Sequence, residues 1–403
     1  MADCRYVAID AAPPAGPHAV PETAGGGPYV VFVARCNDTQ QQMKAKTQTV
    51  NHISQDGLVP IVTHGEAGKK CRRYHELVEI SAPIHKALPE YVIVVLLDDL
   101  HLFCQVWFYS ALSYPALNDH LRTTFVLQDP YYPADPKPIP LALQRRLLFP
   151  FEKVKGLYEV EMDGFDERVK QELKTLMAKP NDTVQKCCED ATELMEKGDG
   201  ELAAGKAKKA LESYSQSFKT IHILIDGRTR RVLGDPFFHD GIQGGRYTGQ
   251  SGTTVRIILR IKLVSRTVHA YIKMQQWEEA AFWGMRSIRI MREAMETEFE
   301  GFLTEFVGAD DTGLLYLRAA IAMRKMEENG SDELAHYLCN GENSERLFLL
   351  TKKYMKGKWK AVVKKECEAV GMEVPTDIFG KDLESDMDSL RHMNEQESDG
   401  ETE

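Results

Sequence analysis

The sequence has no unbroken apolar run longer than the seven residues from Tyr91 to Leu97, far short of the roughly 20 that span a bilayer. No basic segment followed by an apolar stretch opens it, so neither membrane spanning nor export on a signal peptide is expected. Cysteine is scarce, at 8 in 403 residues, and no C-x-x-C pair suggests a zinc site or a dithiol redox motif. H-E-x-x-H and G-x-S-x-G are missing too, which removes the usual sequence anchors of zincin and α/β-hydrolase chemistry. There is no excess of positive charge: 50 Lys and Arg stand against 60 Asp and Glu, so nucleic-acid binding is not expected. No metal, cofactor or catalytic residue is therefore assigned. The scattered thiols, with Cys187 beside Cys188, read as reduced packing residues of a protein in the cytoplasm or nucleus.

At 43% apolar and 27% charged residues, the chain has the make-up of a globular protein with room for two domains of about 100–200 residues. Its charge is unevenly spread. Residues 1–165 carry 15 basic and 18 acidic side chains, residues 166–380 carry 33 of each, and the last 23 carry 2 and 9. Residues 1–27, rich in Ala, Pro and Gly, and the acidic stretch 381–403 bury too little apolar surface to offset chain entropy, so both are predicted disordered. In that stretch Leu383, Met387 and Leu390 keep a helical spacing suited to folding onto a partner. Ser385 and Ser398 lie three residues before Asp388 and Glu401, an acidic context in which phosphorylation is expected.

Between residues 28 and 164 short β-branched runs alternate with helical patterns. Strands are expected at Tyr29–Ala34, Leu58–Thr63, Val92–Leu97, Thr123–Leu127 and Leu157–Met162, and helices near Leu100–Leu112 and Leu141–Phe151. From Phe165 the apolar period becomes 3.6, as in Val169, Leu173 and Leu176, and in Leu211, Tyr214, Phe218, Ile221 and Ile225. The expected fold class is α+β in two domains: a small α/β domain at 28–164, then an all-α helical array at 165–380 with an inserted Gly-rich loop at 234–254.

The most specific local pattern joins Ala191, Gly198, Gly205, Ala210 and Tyr214, with a partial second match from Ala270 and Tyr271 to Ala280. It resembles the tetratricopeptide repeat, which implies antiparallel helix pairs brought close by small residues and a concave groove for an extended or helical protein segment. The chain as a whole also resembles a group of uncharacterised fungal proteins that join an N-terminal α/β region to tetratricopeptide-like helices, through Leu147 to Val160 and Trp277 to Ile288. That resemblance implies architecture and no activity.

From Arg228 to Arg266 eight basic residues stand against only Asp235 and Asp240. The resemblance places Lys262 and Arg266 where chaperone-binding repeats hold a terminal carboxylate, although Met195 and Asp199 replace the Lys and Asn of that clamp. Arg256, Arg260, Lys262, Arg266 and Tyr271 are the candidate groove contacts, and because Arg260 and Lys262 point to nearly opposite helix faces, only some of the five can share it. A non-catalytic scaffold or adaptor is the expected function, with an acidic protein or peptide as partner. Two competing readings are an enzyme with its chemistry at Asp98, Asp99 and His101 at a strand end, the helices forming a lid, and a helical face that forms a homodimer. Two turn-capping aspartates are the simpler account of Asp98 and Asp99. His64 to Lys70 lacks P-loop spacing and reads as a solvated turn, and Gly244 to Gly252 reads as a flexible loop beside exposed Phe237 and Phe238.

Overall fold

The computed structural model describes residues 29–35, 59–71, 74–81, 91–114, 117–119, 121–132, 134–295, 309–330, 343–375 and 379. Segments 1–27 and 381–403, with Ser385 and Ser398, lie outside the described residues. The chain divides into two compact units, one within 1–182 together with Leu233–Phe237, the other within 183–232 and 238–403.

The first unit contains strands β1 (Tyr29–Arg35), β2 (Ile61–His64), β3 (Glu76–Ser81), β4 (Tyr91–Leu96), β5 (Arg122–Leu127) and β6 (Glu159–Asp163). They form one mixed sheet in the order β2-β4-β1-β3-β5-β6, parallel at β1–β3 and β5–β6 and antiparallel elsewhere. Its helices are α1 (Gly65–Lys69), α2 (Leu100–Ser113), α3 (Leu141–Leu148) and α4 (Glu167–Ala178). β4 reads as continuously apolar because Val92, Ile93, Val94 and Val95 are all buried, on both faces of the sheet. β3 is an addition to the expected strands: Glu76 and Glu79 break its apolar run, yet alternate residues still turn inward at Val78 and Ile80.

Helix α2 packs Phe103, Cys104 and Trp107 into the core, where the Trp107 ring meets Phe151 edge-on. Its buried indole N–H donates to Asn118 Oδ1 at 2.9 Å, as a buried Trp requires. Val169 and Leu173 of α4 complete the same core, so the unit extends to residue 182 and not to the change of period at 164. Periodicity marks a helix without telling which core it joins. The expected solvated turn at His64 to Lys70 is instead the short helix α1, with Gly68 so close to β4 that a Cβ would stand 2.5 Å from Val92 Cγ1. The helix expected to reach Phe151 ends as α3 at Leu148 and continues as a 3-10 turn, Phe149–Lys153, at Pro150.

The second unit contains α5 (Val184–Ala203), α6 (Ala207–Thr220), the hairpin β7 (Ile223–Asp226) and β8 (Thr229–Val232), then α7 (Gly252–Lys273), α8 (Trp277–Met295), α9 (Ala309–Glu328), α10 (Ser344–Met355) and α11 (Trp359–Glu368). α5 starts where Thr183 Oγ1 accepts the Lys186 N–H at 3.2 Å, and the chain reverses after it at Gly205, φ +74°. α5 and α6 are antiparallel: Ser217 Oγ donates to the Ala191 carbonyl, while Tyr214 lies against Gly198. Ala191, Ala210 and Ala280 are fully buried at helix contacts. Gly284 lets α8 approach α9 until a Cβ there would stand 2.8 Å from Ala319 Cβ. No described helix is long and apolar enough to cross a membrane.

Several expectations in this unit are corrected. Ile225 does not continue the α6 stripe. The helix ends at Thr220, His222 turns left-handed at φ 57°, and Ile225 lies in β7, paired with Arg230 of β8. The Gly-rich segment is not a free loop. The Ile242 N–H donates to the Gln250 carbonyl and the Gly249 N–H to the Ile242 carbonyl, Tyr247 Oη meets Thr192 Oγ1 at 2.6 Å, and Arg246 donates to Glu196 at 2.7 Å, so the segment is pinned along α5. Helix α7 begins at Gly252, inside the stretch expected to be loop, and Phe238 is fully buried, not exposed.

Candidate functional site

Helix α7 carries two polar stripes that its sequence does not separate. Lys262, Arg266 and His269 recur a turn apart on one side, and Arg260, Val264, Thr267 and Tyr271 on the other.

The first stripe meets α5, α9 and α11. Arg266 Nε donates to Asp199 Oδ2 at 2.8 Å and its Nη1 to Asp311 Oδ1 at 3.1 Å, while Tyr214 Oη donates to Asp199 Oδ1 at 2.8 Å. Beside it, Arg318 donates to Glu366 Oε2 at 3.1 Å and to both oxygens of Ser265 at 3.0 Å. Burial next to the Arg318 cation lowers the His269 pKa to about 4. Arg266 thus ties three helices together, and Lys262 contributes its carbonyl to the Arg266 guanidinium. Arg256 is not a groove contact either. It is buried, donates through Nε to the Ile221 carbonyl at 2.9 Å and through Nη2 to that of His222 at 3.3 Å, and stacks 4.3 Å above the Phe238 ring. A cation there satisfies the carbonyls left open where α6 ends.

The second stripe floors a groove of about 440 Å³ between α6, β7, α7 and α8. Phe218, Ile225, Val264, Tyr271 and Trp283 make its apolar walls, and Glu212, Ser215, Gln216 and Lys219 its polar margin along α6. The Trp283 indole hydrogen-bonds the Tyr271 hydroxyl, whose pKa burial pushes up. Of the five expected contacts, Tyr271 lines this groove and Arg260 lies one turn before Val264 on the same stripe; Arg256 and Arg266 are held elsewhere, and Lys262 lies on the other stripe.

An arginine cluster adjoins the groove. Arg230 is 8% exposed and stands directly across the hairpin from Ile225, so both side chains share one face. Its Nη1 and Nη2 are buried without a hydrogen-bond partner among the described residues. Burial, with Arg260 and Arg286 as neighbouring like charges, pulls its pKa down to about 9, so it stays charged at neutral pH. Arg286 donates to the Arg228 carbonyl in the hairpin turn and lies 5.9 Å from the Trp283 ring. Arg230 was not among the expected contacts, although its place in the basic run from Arg228 to Arg266 marked it.

At the strand end of the first unit, Asp98 Oδ1 accepts from Arg146 Nη2 at 2.7 Å and the Asp98 carbonyl meets His101 Nδ1 at 2.7 Å. Asp99 occupies the N-cap of α2 without using its side chain there, and burial raises its pKa. None of these three residues lines the groove between α6, β7, α7 and α8. Of the two buried acids among the described residues of this unit, Asp129 accepts from the backbone N–H groups of Tyr131, Tyr132 and Lys137, whereas Glu76 is fully buried with both carboxylate oxygens unpartnered among the described residues and its pKa raised well above the usual range by burial. Among the described residues no group of three or more His, Cys, Asp or Glu side chains is placed to hold a metal. Neither a protein-family model, nor a curated protein, nor a solved structure matches this chain.

Proposed function

We propose that this chain is a non-catalytic protein-interaction module whose helical unit takes an acidic segment of a protein partner, with a bulky apolar side chain of that segment anchored in the groove. The observation that carries this reading is the groove itself. Its walls are aromatic and aliphatic, its margin is polar, and its volume suits one large anchoring side chain. Charge complementarity selects the partner, because Arg230, Arg260 and Arg286 gather at one flank. The α5–α6 and α7–α8 pairs are read as tetratricopeptide-like repeats, supported by the small residues at their crossings.

The test places a photo-crosslinking phenylalanine analogue at position 215, on the margin, and identifies the partner segment that it captures. A synthetic peptide of that segment is expected to bind the full chain and to lose binding to Ser215→Trp, whose indole fills the groove. A captured peptide that binds both forms equally overturns the reading. Matching circular dichroism and melting midpoints show that Ser215→Trp is folded.

A further inference from the structure

We infer that Arg230, with Arg260 and Arg286 beside it, is an oxyanion site at the flank of the groove that receives a phosphoryl group carried on a side chain of the bound partner segment. This rests on the groove reading and adds the chemistry of the residue next to the anchor.

The argument starts from an imbalance. A guanidinium has five N–H donors and no acceptor, and a buried one is ordinarily matched by carboxylates or carbonyls. The neighbouring buried arginines obey this: Arg256 faces two carbonyls, and Arg318 faces Glu366 and Ser265. Arg230 does not, since its two terminal nitrogens have no partner among the described residues, and its neighbours in the cluster are cations. Replacing a mismatched buried charge by an apolar side chain is often stabilising, so such a residue makes sense when something else completes it.

The missing group is an anion for the Arg230 fork, and the like charges of Arg260 and Arg286 acting on Arg230 favour one of more than unit charge. A phosphate monoester carries roughly −1.5 to −2 charges and three acceptor oxygens, which matches a guanidinium fork flanked by further cations. Register gives the link to the groove: Arg230 is opposite Ile225, which forms part of the groove wall, and Arg286 lies against Trp283, which forms another.

Access is through the hairpin. The terminal nitrogens of Arg230 are covered, and a two-stranded hairpin is marginally stable by itself. At its tip Arg228 holds α8 through Glu278 and Glu279, by exposed pairs that salt screens. Loosening of that tip is the route by which the anion reaches the fork, with Arg230 and Ile225 keeping their places beside the groove.

The experiment measures binding and thermal unfolding of the full chain with inorganic phosphate, phenyl phosphate and phenylacetate at matched ionic strength. Phosphate is expected to raise the melting midpoint saturably. Phenyl phosphate, whose ring can enter the groove, is expected to bind about tenfold tighter than phosphate, and phenylacetate more weakly than phenyl phosphate. Arg230→Met is expected to melt no lower than the parent without ligand and to lose the phosphate response, with Arg286→Gln weakening it. A parent with no saturable phosphate response, or an Arg230→Met form that keeps it or melts markedly lower in its absence, overturns the site. Equal binding of phenylacetate overturns the phosphoryl assignment, and equal binding of inorganic phosphate overturns the side-chain source. If the site fails while Ser215→Trp still abolishes peptide binding, the groove reading stands alone; phosphate binding that depends on Arg230 without any peptide capture leaves the anion site without the groove.

Discussion

Gly198 lies flat against the ring of Tyr214: a Cβ on the glycine would stand 2.5 Å from Tyr214 Cε1, closer than any real contact of that kind. The ring cannot retreat freely, because it is 1% exposed and its hydroxyl is held by Asp199. Gly198→Ala therefore forces α5 and α6 apart, and a loss of about 1–3 kcal/mol in chemical denaturation is expected despite the better helix propensity of Ala. Gly200→Ala, where a Cβ meets nothing, serves as the control and is expected to be neutral or stabilising.

Arg256 closes the end of α6. Arg256→Met keeps much of the side-chain volume but removes both donors to Ile221 and His222, and a loss of roughly 1.5–3 kcal/mol is expected from the charged hydrogen bonds. The measurement is urea unfolding at pH 7, where an unchanged midpoint would contradict the structural role given to this arginine.

His222 sets an acid limit. Burial, with Arg256 nearby, lowers its pKa from 6.5 to about 3, so the folded chain keeps it neutral where the unfolded chain takes up a proton. Its contribution is intact above pH 6.5 and is lost progressively as pH falls from 6.5 toward 3, with a slope that approaches 1.4 kcal/mol per pH unit. His222→Asn, which tolerates the left-handed backbone at φ 57°, is expected to flatten the stability profile over that window.

Glu76 acts in the opposite direction. Its raised pKa means that the folded state holds a proton that the unfolded state releases, so stability is greatest below about pH 4.5 and declines as pH rises toward the folded value. Glu76→Leu is expected to raise the melting midpoint at pH 8 more than at pH 4. Equal shifts at both would show that packing, not ionisation, governs the site.

Much of the architecture is legible in the residues, and the reasons for the misses differ. β4 and α2 follow from an apolar run and a 3.6 period, while β3 escapes because Glu76 and Glu79 disguise an inward-facing alternation. The β7–β8 hairpin is signalled by Asp226-Gly227, yet Ile221 and Ile225 also continue the apolar spacing of α6, and the longer pattern prevails on reading. The candidate site is half legible. Tyr271 and Arg260 belong to the groove stripe, but nothing local reveals that Arg256 and Arg266 are spent on carbonyls and carboxylates contributed by residues far away in sequence. Arg230 is visible only as one basic residue among several until its missing partners are seen.

The division of α7 into a side that binds neighbouring helices and a side that floors the groove makes that helix unforgiving of insertion. One added residue between Arg260 and Tyr271 rotates everything beyond it by about 100°, turning Tyr271 away from the groove or Arg260 away from its stripe. An insertion at Ala204 to Lys206 changes only the connection between α5 and α6. Length variation is thus tolerable at that bend and ruinous in the middle of α7, so the spacing from Arg260 to Tyr271 is as fixed a property of this molecule as the identity of either residue.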